Sequence, residues 1–276
     1  MVLLVKTLYL FGENPFSFMK NSTLFSGIFL FPLFFVLFAC DTHTSENSHS
    51  HPTEATTQIA PKEKALLIIA EDRSGSTQGQ RKLTAEQYRE IFEAFAGKYC
   101  GEIDVRIIGN PSPQDRNFFP LVIECPQPTK NIPPKALLTE KAAIAKENKK
   151  IQEQNKLLEK KNKRKINAFV EKIVKQKIIR YRPHQDVDVT DIADFFSHLE
   201  KKLKEPTYRD YDKIFVVIIS DGKHNASRLS QPLHFQSPVD ARIYVIGWED
   251  MSVFGNQDVE EFESVDGFLH YFKHAD

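Results

Sequence analysis

The chain alternates between two hydrophobic rhythms. Lys64–Ala70 (KALLIIA), Lys213–Ser220 (KIFVVIIS) and Ala241–Gly247 (ARIYVIG) are short, continuous apolar runs rich in β-branched residues. Such runs predict strands buried on both faces, the pattern of a sheet covered by helices on either side. Glu102–Gly109 and Phe118–Cys125 predict two more strands around a turn rich in Pro, Asn and Asp, and Asp258–Ser264 an edge strand. The second rhythm is helical. Leu83–Tyr99 carries Tyr88, Ile91, Phe92, Phe95 and Tyr99 on one face, with Thr84 placed as N-cap. Thr190–Leu203 carries Ile192, Phe195, Phe196, Leu199 and Leu203, and Val265–Ala275 predicts a closing helix. Buried strands alternating with helices predict an α/β fold: a Rossmann-like, doubly wound, mostly parallel sheet whose ligands sit at the carboxyl ends of the strands.

One stretch breaks the alternation. Lys135 to Arg182 contains neither Gly nor Pro, and as a helix it extends roughly 65–70 Å. In its first half Ile144, Ile151 and Leu158 recur every seven residues, while Asn148, Asn155 and Asn162 hold the complementary seam positions. Polar residues along one whole seam predict at best a weak coiled coil. In its second half Ile166, Phe169, Val170, Ile173, Val174 and Ile178 form an apolar stripe that must pack on something. The first half is Lys-rich, which reads as a solvated, protruding helix, with contact to an anionic lipid or polymer as the alternative.

Upstream, Leu24–Ala39 (LFSGIFLFPLFFVLFA) is nearly free of polar groups and follows Lys20. As a helix it covers only ~24 Å, short for a bilayer core of roughly 30 Å, so it reads as a secretory signal in residues 1–39. It ends in Leu37-Phe38-Ala39-Cys40, which resembles the lipobox of bacterial lipoproteins. That resemblance implies lipid attachment to Cys40 with cleavage before it; an uncleaved apolar anchor is the alternative. Translation is expected to start at Met19, since the segment before it adds a second apolar patch and Glu13. Asp41 resembles the inner-membrane retention signal of enteric-type lipoproteins, and the expected location is the cell envelope, in the periplasm. Residues 40–62 are rich in Ser, Thr and His and poor in large apolar groups, a flexible tether rather than a folded segment. His43, His49 and His51 belong to it. Residues 63–276 then form the globular domain, with a helical insertion at about 135–182. Cys100 and Cys125 remain as a disulfide candidate or two buried thiols; a hairpin folded about residues 112–113 sets them almost opposite each other.

Charge narrows the field. The chain carries 37 Lys+Arg against 37 Asp+Glu, so nothing in the balance points to nucleic acid. The chemistry concentrates at three places: Asp72-Arg73-Ser74-Gly75-Ser76 after the first predicted strand, Thr190 at a helix start, and Ser220-Asp221-Gly222 after a later strand. Asp72, Ser74, Ser76, Thr190 and Asp221 offer two carboxylates and three hydroxyls, a hard-oxygen set suited to Mg²⁺, with Mn²⁺ or Ca²⁺ as alternatives, and not to Zn²⁺.

This order of motifs resembles the von Willebrand factor A domain, from about Lys64 to the C-terminus. The resemblance implies a metal-ion-dependent adhesion site, with Ser74, Ser76 and Thr190 as hydroxyl ligands and Asp72 and Asp221 acting directly or through water. It implies one antiparallel edge strand, an open metal position that accepts a carboxylate from a protein partner, and binding rather than catalysis. Asp186, Asp188 and Asp191 lie near enough to Thr190 to substitute for it. Three other readings stand beside this one. Asp72, Ser74 and Thr190 can serve only as caps and turn formers. The long basic helix can be the binding element, with the globular part as platform. Asp186-Val187-Asp188-Val189-Thr190 also matches the Asp-x-Asp-x-Thr pattern of haloacid-dehalogenase-like phosphatases, but a polar, Pro-broken segment precedes it where those enzymes have a buried strand. His224 follows Asp221 as a candidate base without an activated nucleophile.

Overall fold

The computed structural model describes residues 60–73, 82–108, 118–181, 192–222 and 241–274. The strands are β1 (Lys64–Asp72), β2 (Cys100–Ile108), β3 (Phe118–Ile123), β4 (Lys213–Ile219), β5 (Ala241–Ile246) and β6 (Val259–Phe262). They form one sheet in the order β3-β2-β1-β4-β5-β6. Every neighbouring pair is parallel except β2 and β3. The expected mostly parallel α/β sheet with one antiparallel edge strand is therefore present. Pro120 sits on that edge strand, where its missing N–H interrupts no inner ladder.

Helices α1 (Ala85–Lys98), α2 (Leu138–Phe169), α3 (Ile192–Leu203) and α4 (Val265–His274) accompany the strands. Alternate residues of a strand face opposite sides, and β1 divides accordingly. Ala65, Leu67 and Ile69 join one core with α1 and α4; Leu66, Ile68 and Ala70 join another with α3. Helix α1 starts one residue after Thr84, whose hydroxyl accepts from the Gln87 amide while the Gln87 side chain accepts from the Thr84 N–H. This reciprocal cap is what the Thr84 position predicts.

Cys100 and Cys125 form a disulfide across the β2–β3 hairpin, with Cα atoms 4.9 Å apart and a sequence separation of 25. Closing a loop of that length stabilises the fold by about 3 kcal/mol. Next to it, Gly101 has φ +128°, and a Cβ there would lie 2.2 Å from the Ala65 carbonyl oxygen. Gly101→Ala is expected to cost about 3 kcal/mol or more, from backbone strain together with a clash against an inner strand. Urea unfolding checks this; a change under 1 kcal/mol would refute it.

The long helix departs from expectation in two ways. Extended residues 124–130, rather than a second helix of this chain, run along the Asn seam of α2, and each Asn carboxamide clasps the backbone of one residue of that segment with two hydrogen bonds. Asn162 accepts from Glu124 N (3.2 Å) and donates to Glu124 O (2.9 Å). Asn155 does the same to Gln127 (2.9 and 2.7 Å) and Asn148 to Lys130 (2.7 and 2.9 Å). The match is metric: seven helical residues rise about 10.5 Å, and three residues of extended chain cover about 9–10 Å. Pro126 and Pro128 fall between the rungs, where no N–H is required.

The second departure is that Val170–Ile178 continues the helix as π-helix. Ile166, Val170, Val174 and Ile178 all enter the α1 side of the core, at a strict four-residue repeat. On an α-helix that repeat drifts about 40° per step. The wider π turn counters the drift and keeps the stripe on the core.

The chain enters at one end of the sheet: Lys64 pairs with Cys100 at the amino ends of β1 and β2. The disulfide and the Asn162–Glu124 rung lie at that same end. From there α2 and residues 124–134 form an arm. No residue between Leu138 and Lys165 belongs to either core. Among the described residues, no helix is long and apolar enough to cross a membrane.

Candidate metal centre

Asp72 is the last residue of β1 and Asp221 follows β4 by two positions. Because β1 and β4 are adjacent and parallel, with Glu71 opposite Ile219, the two segments end side by side at the carboxyl edge. Asp72 and Asp221 are both buried, 0% and 1% exposed. Ser220 ties the two segments together: its hydroxyl donates to Asp72 Oδ2 at 2.9 Å and accepts from the Gly222 amide at 3.1 Å. Gly222 has φ +74°, and a Cβ there would meet the Trp248 indole at 2.6 Å. The turn that carries Asp221 is thus shaped by a residue without a side chain, packed under an aromatic wall.

Asp72 belongs to the α3 side of β1, in the alternation set by Leu66, Ile68 and Ala70. Helix α3 begins at Ile192, two positions after Thr190, on that same side of the sheet. Ser74, Ser76 and Thr190 themselves lie outside the described residues, as do Asp186, Asp188, Asp191 and His224. Cys40, His43, His49 and His51 are outside them as well.

Two buried carboxylates and a serine hydroxyl at adjacent strand ends fit a hard divalent cation. Carboxylates kept from water need a positive charge or hydrogen-bond donors close by. Among the described residues no three His, Cys, Asp or Glu side chains converge; the predicted set itself contains only two carboxylates, its other donors being hydroxyls.

Ser220 and the Glu71–Arg73 pair are the functional residues the pattern of ligands passed over. Ser220 stands in the quoted motif, but its bridging role depends on β1 and β4 being neighbours. Arg73 lies inside the Asp72–Ser76 motif, and its side chain turns to the α1 side of the sheet, opposite to Asp72. Its guanidinium donates to Glu71 Oε2 at 2.8 Å, to the Leu83 carbonyl at 3.2 Å and to the Ile179 carbonyl at 3.5 Å. Glu71 is fully buried and also accepts from the Leu83 amide and the Tyr88 hydroxyl. Burial pushes the Glu71 carboxyl up, against the pull of Arg73, and pushes the Tyr88 phenol up as well. The cluster ties the end of β1 to the start of α1 and to the end of the long helix. Removing one partner of such a pair leaves a buried charge, at a cost of about 3–5 kcal/mol.

No protein-family model matches the chain, and no curated protein does. Among solved structures, the chain is similar to proximal thread matrix protein 1 from the mussel byssus, with 13% identity over 78% of this chain and 47% of that one, at a TM-score of 0.37. It is also similar to the open conformation of the pilus adhesin SpaC from Lactobacillus rhamnosus GG, with 9% identity over 76% of this chain and 29% of that one, at a TM-score of 0.36. The chain spans less than half the length of either protein. Likenesses of this strength carry no argument about activity.

Proposed function

We propose that this chain is a lipid-anchored envelope protein whose domain, of the von Willebrand factor A type, captures a protein partner through a divalent cation at the strand ends. One observation carries the reading: Asp72 and Asp221, far apart in sequence, are both buried at the ends of adjacent strands, and Ser220 beside Asp221 donates to Asp72. In this reading Asp72 and Asp221, with Ser74, Ser76 and Thr190, hold Mg²⁺. The ion supplies an open position for a partner carboxylate. The protein's own part is to hold its oxygens fixed on rigid strand ends and to keep water from the carboxylates. Binding is the function this hard-oxygen set suits.

The disulfide supports an oxidising compartment, in keeping with export and attachment at Cys40. The test is capture of an envelope partner by the purified chain with Mg²⁺ and with chelator. Capture is expected only with the cation, together with a thermal shift on adding Mg²⁺ in the absence of any partner. At a hundredfold excess over Kd that shift reflects about 2.7 kcal/mol. Equal capture in chelator would overturn the proposal.

A further inference from the structure

The arm formed by α2 and residues 124–134 is not used by the metal centre, and its tip is unlike the rest of the surface. Leu137 and Leu138 are 68% and 85% exposed, adjacent in sequence, and follow Pro133-Pro134 at the turn of the arm. Single exposed apolar residues are ordinary. Two consecutive leucines at the far end of a projection whose outer part, Leu138–Lys165, contributes nothing to either core are a different matter.

Around them the charge is one-sided. Residues 130–150 hold Lys130, Lys135, Lys141, Lys146, Lys149 and Lys150 against Glu140 and Glu147. Both acids are engaged locally, Glu140 with the Leu137 amide and Glu147 with Lys130.

Topology supplies the direction. The arm leaves the end of the sheet at which the chain enters. Lys62, two residues before β1, lines a groove of about 1380 Å³ together with Lys149, Lys156, Lys163 and Asn162 of α2. The proposed metal centre is at the other end of strands as long as nine residues, about 30 Å away. From Asn162 to Leu138 the arm measures about 36 Å.

We infer that Leu137 and Leu138, with Lys135 and Lys141 beside them, seat the tip of the arm on an anionic lipid bilayer, and that the arm is a strut holding the metal face away from the membrane. Leucines enter the interface and lysines meet the headgroups, the usual pairing for a segment that lies on a membrane without spanning it. A lipid at Cys40 raises the effective concentration of the tip at the surface, so a small contact suffices. The inference rests on the anchored-chain reading but is independent of the metal.

The experiment uses the full chain bearing Leu138→Trp, mixed with vesicles that are either neutral or about 30% anionic, enough to set a negative surface potential. The native chain has one Trp, the buried Trp248, so its signal is subtracted using the unsubstituted chain. The new indole is expected to shift to shorter wavelength and to lose about half its emission or more to bromine-labelled lipid, on anionic vesicles alone. Adding Lys135→Gln and Lys141→Gln should lower the inserted fraction by about fivefold per lysine. Water-like emission on both vesicles overturns the inference, as would be expected if the tip met a protein instead; equal insertion into neutral vesicles overturns it too. Flotation of the unsubstituted chain with neutral vesicles reads the anchor separately, so a failed anchor and a failed tip give different results.

Discussion

Asp72→Asn is expected to abolish both Mg²⁺-induced stabilisation and cation-dependent capture, while leaving the cation-free fold in place. The substitution keeps the shape of the side chain and an oxygen to accept from the Ser220 hydroxyl, now at 2.9 Å. It removes one of two carboxylates buried at adjacent strand ends. With a cation that loss weakens binding by about a hundredfold or more, at or above the top of the range for disturbing a ligand's supporting shell. A loss confined to the cation-bound protein separates a ligand from a residue that merely supports the strand. Thermal unfolding with Mg²⁺ and with chelator reads both. A variant destabilised equally under both conditions would make Asp72 a structural residue and remove the basis of the proposed function.

A second large effect is expected from Asn148→Ala, Asn155→Ala and Asn162→Ala combined. Each position gives up two hydrogen bonds to the backbone of one residue in 124–130. Asn148 and Asn162 are buried, 2% and 9% exposed, so their partners are poorly placed to recover water. At about 1–3 kcal/mol per position the triple change costs on the order of 5 kcal/mol locally. Since residues 138–165 lie outside both cores, the loss should appear as local opening rather than global unfolding. Amide exchange tests this: protection at Glu124, Gln127 and Lys130 should vanish while the strands keep theirs. Retained protection at those three amides would show that other contacts hold the segment. The disulfide at Cys125 anchors the segment's start, so the released chain should remain attached to the hairpin.

The strands were the most legible part of the molecule. Lys64–Ala70, Lys213–Ser220 and Ala241–Gly247 are apolar on both faces because helices cover both faces, and that demand is written into every residue of the run. Thr84 was legible for an equally local reason, since a capping hydroxyl and its Gln87 partner are three residues apart. The order of Asp72 and Asp221 along the chain was legible too, as short polar motifs each following a strand. Arg73 was not. It lies within a motif that reads as metal-binding, and only the position of Ile179 and Leu83 around it decides that its guanidinium serves Glu71.

The Asn seam shows most clearly where sequence stops. Asn148, Asn155 and Asn162 at seven-residue steps specify a face of a helix and its chemistry, a row of paired donors and acceptors. The repeat is blind to what fills that face. The sequence predicted at best a weak coiled coil there, and a second helix has its backbone amides already spent on its own hydrogen bonds and cannot satisfy a carboxamide ladder. An extended segment has N–H and C=O groups to spare, and residues 124–130 are brought alongside because β3 ends at the base of the arm. Local periodicity therefore determined the strands, the helix faces and the candidate ligands in their order. Tertiary structure alone decided which strand ends became neighbours, what the asparagines grip, and at which end of the sheet the arm departs, because each depends on groups distant in sequence meeting in space.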